Sequence, residues 1–188
     1  LELFQEGGLA LRDAPTTSSN VLASLPPGEL LQGLEPAEVA APGRSLVTIG
    51  IAPTAPETGY GYLELGEEES AVRGEAVWRV RSIREKPDRE TARAFLAEGR
   101  YAWNSGMFVW TAAAILAAIG QWLPDLSAGL DRIGEALGTD GESSVLEAVY
   151  PALPSISIDY GVMEKAGNVL VLRGEFGWSD VGSWDALW

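Results

Sequence analysis

The chain contains no cysteine and no histidine in its 188 residues. Without cysteine there can be no disulfide, no Fe–S cluster and no thiol nucleophile. Without histidine there is no Ser-His-Asp triad, no imidazole base and none of the usual zinc ligands. Cations are also scarce, with 13 Lys and Arg against 27 Asp and Glu, a formal charge of −14. That balance opposes non-specific binding to nucleic acid, which needs clustered Lys and Arg to replace counterions. It leaves room for a small phosphorylated substrate, for which one or two placed cations suffice, and the lysines are Lys86 and Lys165 alone. No apolar run reaches the roughly 20 residues that span a bilayer. The opening Leu1-Glu2-Leu3-Phe4-Gln5-Glu6 is no signal peptide and lacks an initial Met, so a cytoplasmic setting, no membrane partner and a cut N-terminus are expected. Any catalysis then falls to carboxylates, cations, backbone amides and a metal ion.

What is present suits one α/β domain with a mostly parallel or mixed sheet, since a 46% hydrophobic content can bury a core. Residues 1–44 are broken by Gly7-Gly8, Pro15, Pro26-Pro27, Pro36 and Pro42, and no long periodic segment survives there. Strands are predicted at Ser45–Ile51, Val77–Arg84 and Val169–Leu172 from apolar runs or alternation. Helices are predicted over Arg89–Glu98 behind an Asp88 cap, Thr111–Trp122, Asp125–Leu137 and Ser143–Val149. A short helix from Asp159 to Lys165 should open on Asp159 as its cap, with Tyr160 and Met163 packed inward and Glu164 as a candidate site acid.

Five constellations could carry chemistry, each with a plainer structural reading. Gly59-Tyr60-Gly61-Tyr62 offers backbone amides beside phenol rings, a surface suited to sugar hydroxyls, but equally an aromatic hairpin. Glu85-Lys86-Pro87 ends the alternating strand where loops form sites. Its carboxylate can accept vicinal hydroxyls and its ammonium can hold a phosphate, although a solvated charge pair would look the same. Asn104, Ser105 and Gly106 interrupt the aromatic run Tyr101–Trp110, and a buried amide there must be hydrogen-bonded to backbone or to a ligand. The fourth is Ser155–Lys165. In Phe176–Trp184, Trp178 and Trp184 flank Asp180, an acid placed either to hold a divalent cation or to cap a following helix.

Taken in order, Gly-Tyr-Gly-Tyr, Glu-Lys-Pro, Trp-Asn-Ser-Gly-Met-Phe, Ser-Ile-Asp-Tyr-Gly-Val-Met-Glu-Lys and Gly-Trp-Ser-Asp-Val-Gly-Ser-Trp closely resemble the mannose-1-phosphate guanylyltransferases, sugar-phosphate nucleotidyltransferases. The resemblance covers residues 45–188. It implies a Rossmann-like (GT-A-like) mixed sheet flanked by helices, acting on GTP and mannose 1-phosphate to give GDP-mannose and pyrophosphate. It implies that Gly59, Tyr60 and Gly61 lie against the sugar, that Glu85 takes its hydroxyls and that Lys86 holds its phosphate. Asn104 and Gly106 match sugar-contacting positions, and Asp180 matches the acid that binds the catalytic Mg²⁺. It leaves formation of a homo-oligomer open.

The family's opening strand and Gly-Gly-x-Gly-x-Arg-Leu-x-Pro loop, which cradles the triphosphate, have no counterpart in residues 1–44. Gly7-Gly8-Leu9-Ala10-Leu11-Arg12 lacks the third glycine and the proline, and Leu25-Pro26-Pro27-Gly28-Glu29 lacks the second metal acid. Residues 1–44 therefore read as a divergent or truncated remnant of the nucleotide half, and residues 45–188 as the sugar-phosphate- and metal-binding part. Loss of the first strands should expose a sheet edge. Two alternatives remain: a catalytically incompetent fragment or paralogue that binds sugar phosphate only, and a nucleotidyltransferase for a related hexose 1-phosphate.

Overall fold

The computed structural model describes residues 45–72 and 75–180. The expectations for residues 1–44 and for Gly182 and Trp184 lie outside these. Strand β1 (Leu46–Ile51) is buried at all six positions, in keeping with an apolar-rich run, Thr48 its one polar side chain, covered on both faces. It pairs in parallel with β5 (Val169–Gly174) and antiparallel with β4 (Tyr101–Val109). β4 pairs with β2 (Gly61–Val72), and β2 with the long neighbouring strand β3 (Glu75–Glu85). β3 then meets β5 over Val77–Arg79, closing the order β1-β4-β2-β3-β5 into a ring. The mixed sheet and its flanking helices are as expected. The exposed edge is not: among the described strands, the β3–β5 pairing leaves none open.

The helices follow their sequence signals. Helix α1 (Arg89–Glu98) starts at Asp88, whose carboxylate accepts from the Thr91 N–H at 2.8 Å, and stops at Gly99 in the left-handed conformation. The carboxyl of Asp88 is held below its ordinary range by these hydrogen bonds from the first turn. Helix α2 (Ala112–Trp122) is capped by the Thr111 hydroxyl on the Ala114 N–H, and Pro124 opens α3 (Pro124–Ala136). Helix α4 (Glu142–Val149) follows, then a 3₁₀ turn at Tyr150–Ala152 and one π-helical turn at Asp159–Met163.

Two packed layers cover the sheet. On one side Ala114 and Ala118 of α2, with Val162 and Met163 of the π turn, pack on Leu46, Leu63, Ile83, Val169 and Val171. On the other, Ala92 and Phe95 of α1 pack with Ile49, Ile51, Tyr62, Tyr101 and Trp103. Here Phe95 stacks on Tyr101 with ring centroids 4.0 Å apart, and Tyr62 donates its hydroxyl to the Glu57 carbonyl. Met163 is buried as expected, but Tyr160 is half exposed, because the π turn points it outward.

Candidate functional site

The site is built where β1, β2, β3 and β4 bring one row of residues side by side. Gly50 pairs with Asn104, Asn104 with Gly61, and Gly61 with Glu85. Four strands therefore place an amide and a carboxylate on either side of a glycine. That glycine is needed: a Cβ at Gly61 would overlap the Glu85 carboxylate. The carboxylate lies across the bare backbone of β2 at Gly61, whereas a Cβ at Gly59 would meet nothing within 4 Å.

β4 reaches this row through a bulge. Between the pairs Thr48↔Phe108 and Gly50↔Asn104, β1 has Ile49 alone, whereas β4 has Ser105, Gly106 and Met107. The extra residues are accommodated by Gly106 in the left-handed region, φ 70°. The buried Ser105 hydroxyl donates to the Ile49 carbonyl at 2.6 Å and accepts from the Met107 N–H at 3.2 Å, repairing the broken ladder. Asn104 and Gly106 line the cleft at the bulge, and the Gly106 N–H is met by Asn104 Oδ1. β3 ends at the site with a different irregularity: Lys86 takes a positive φ of 47° just before Pro87, its N–H bonded to the Tyr60 carbonyl at 3.2 Å. A non-glycine residue in that region is uncommon, and such positions cluster at functional sites.

Asn104 is the hub of the polar contacts. Its Nδ2 donates to Asp159 Oδ1 at 2.8 Å and to Glu85 Oε1 at 3.4 Å. Its Oδ1 accepts from the Gly106 N–H at 3.3 Å and lies 3.3 Å from the Thr48 hydroxyl, which also faces the Met107 carbonyl. Asp159 is therefore no helix cap: the cap position belongs to Ile158, with no side-chain cap bond, and the Asp159 carboxylate is taken by an amide 55 residues away. Burial raises the Glu85 carboxyl above its ordinary range, and the negative charges of Asp159 and Glu164 push the same way. The Asn104 amide and the Lys86 ammonium oppose them.

Eight of the residues expected at a site meet in one cleft of about 880 Å³: Gly59, Tyr60, Gly61, Glu85, Lys86, Asn104, Gly106 and Asp180, whereas Glu164, the other candidate acid, is not among its lining residues. Sequence reasoning missed Asp159 as a lining acid and missed the wall from Tyr150 to Pro154, while Ser155, Ile156 and Ser157 fell within the fourth constellation. Pro151 and Pro154 within that wall were its only signal. Trp178 lines the cleft beside Asp180 and meets the Tyr60 ring edge-on at 5.2 Å, while Tyr60 meets Trp103 edge-on at 5.1 Å. No group of three or more metal-ligating side chains occurs among the described residues. Asp180 is a carboxylate lining the cleft, of the hard-oxygen type that could hold a divalent cation.

The chain matches the nucleotidyl transferase family over residues 17–188. The chain belongs to this family. Among curated relatives it is 41% identical over 144 residues to a mannose-1-phosphate guanylyltransferase of Escherichia coli K12, covering 76% of the chain and 30% of the relative. It is 43% identical over 151 residues to a mannose-1-phosphate guanylyltransferase of Sinorhizobium fredii, covering 80% and 29%. A crystal structure of a mannose-1-phosphate geranyltransferase from Thermus thermophilus is similar with a TM-score of 0.67 at 40% identity, over 80% of this chain and 41% of that one. The chain thus spans about a third of the length of the curated relatives it matches. Among the described residues no helix is long and apolar enough to cross a membrane.

Proposed function

We propose that the chain is the acceptor part of a mannose-1-phosphate guanylyltransferase, which transfers GMP from GTP to mannose 1-phosphate. The observation that carries this reading is the convergence of Glu85, Lys86, Asn104, Gly106 and Asp180 in one cleft. Glu85 would accept sugar hydroxyls over the bare backbone of Gly61, and Lys86 would hold the sugar phosphate as a point charge. Tyr60 and Trp178 would exclude water from the face of the ring.

In the reaction so described, an oxygen of the sugar phosphate bonds to the α-phosphorus of GTP. The bond from that phosphorus to its α–β bridging oxygen breaks, and pyrophosphate leaves with the electron pair. Such a transfer needs positioning and charge neutralisation rather than a proton-shuttling imidazole, in keeping with a chain without histidine. Mg²⁺ held by Asp180 would supply neutralisation of phosphate charge. The chain's own residues fix the acceptor: Lys86 orients its phosphate, and Glu85 with Asn104 sets the rotation of the sugar.

A second reading, binding of the sugar phosphate without turnover, is favoured by the absence of a Gly-Gly-x-Gly-x-Arg-Leu-x-Pro segment from residues 1–44. Calorimetry with mannose 1-phosphate, then with GTP and Mg²⁺, separates the two. Binding of both, with pyrophosphate release, supports the transferase; binding of the sugar phosphate alone supports the second reading. Binding of neither would sink both.

A further inference from the structure

The Asn104 side chain has two N–H donors and one carbonyl oxygen, and all are engaged by the protein itself. An amide so engaged has little left to offer a sugar directly. What it does instead is hold Glu85, and what fixes its own orientation is Asp159. With the amide reversed, its oxygen would face two carboxylates and its NH₂ would face the Gly106 N–H, so the observed orientation is strongly preferred. Of the two acceptors on Nδ2, Asp159 is the shorter by far, at 2.8 Å against 3.4 Å for Glu85. Asp159 opens a single π-helical turn, a rare irregularity frequent at functional sites, and lines the same cleft.

We propose that Asp159 is a positioning residue: by holding the Asn104 amide it directs the second Asn104 N–H at Glu85 and sets that carboxylate for the sugar. This rests on the reading that Glu85 accepts hydroxyls of the acceptor sugar. Asp159 acts on Glu85 through Asn104 and through charge, because its negative charge also raises the Glu85 carboxyl, second only to burial.

The test uses the full chain in four forms: parent, Asp159→Ala, Glu85→Gln and the double variant. Titration with mannose 1-phosphate should show Asp159→Ala weaker by about tenfold, the scale of one lost hydrogen bond to a charged group. Asp159→Asn, which keeps an acceptor for the amide, should recover part of that loss. In the Glu85→Gln background, Asp159→Ala should cost no more than about twofold, because coupled residues are non-additive. An equal loss in both backgrounds would overturn the proposal, since a merely structural defect is indifferent to Glu85. A second readout needs no sugar: the Asn104 side-chain amide resonances, assigned with Asn104→Asp, should move in Asp159→Ala. If the parent fails to bind mannose 1-phosphate, the proposed function falls, while the amide spectrum still decides the positioning. Unchanged Asn104 resonances overturn it and displaced ones support it.

Discussion

The carboxylate of Glu85 occupies the space that a side chain at residue 61 would fill. Gly61 pairs with Glu85 across β2 and β3, so the acid rests on the backbone of the neighbouring strand. Gly61→Ala should therefore expel the carboxylate while leaving the ladder intact. Mannose 1-phosphate affinity should fall as far as it does in Glu85→Ala, and combining the two should add little. Full additivity in calorimetry would refute this relationship.

The raised carboxyl of Glu85 sets two pH dependences of opposite sign. A folded-state value above the ordinary 4.5 means that the folded chain keeps its proton to higher pH than the unfolded chain does. Its contribution to stability is present at low pH and is lost as pH rises through the window above 4.5. Glu85→Gln should thus raise the melting temperature more at about pH 7 than at about pH 4. Sugar-phosphate binding by the parent should strengthen over the same rise, because only the ionised acid accepts two hydroxyls. A stability difference independent of pH would contradict the assignment.

Lys86→Ala should weaken mannose 1-phosphate binding by about 1.5–3 kcal/mol, the range for hydrogen bonds to charged groups. The thermal midpoint should change little, since the Lys86 N–H keeps its bond to Tyr60. Equal affinities of variant and parent would remove Lys86 from the site.

Ser105→Ala tests the bulge. Losing the hydroxyl leaves the Ile49 carbonyl without its donor in a buried setting, at a cost of about 1–3 kcal/mol. Urea denaturation should show this, together with weaker sugar-phosphate binding as Asn104 shifts.

Asp180→Asn should abolish Mg²⁺-dependent changes in ligand binding and preserve the fold. Superimposable metal titrations of the two proteins would show that Asp180 holds no cation.

Much of this was legible in the sequence, and the exceptions share a cause. α1 appears with the bounds its Asp88 cap and Gly99 stop predict, because both signals are local. β1 and β5 announced themselves as apolar runs. β2 did not, because irregularities between Glu64 and Ser70 break the period of two on which a strand is recognised. β4 did not, because its three leading residues Tyr101, Ala102 and Trp103 are all buried and the bulge at residues 105–107 interrupts the rest. At the site, Glu85, Lys86, Asn104 and Asp180 could be named from their own chemistry, and Gly59, Tyr60, Gly61 and Gly106 from the motifs that hold them. Asp159 was misread because an aspartate ahead of a helical turn looks locally like a cap, whereas its partner Asn104 lies on a distant strand. Tyr160 was misread because a π turn rotates its residues away from the α-helical period.

The position of β1 has a kinetic consequence. This strand sits between β4 and β5, and its parallel partner is the last of the described strands, beyond every described helix. During synthesis β1 emerges first among them and must wait for nearly all of the rest before that partner exists. Contacts so far apart in sequence carry a high loop-closure cost and slow folding. Until β5 arrives, six consecutive apolar-rich residues lack half of their cover. The wholly buried strand of the finished sheet is thus, while the protein is being made, an apolar-rich edge still lacking one of its two partners, the kind of surface that invites aggregation.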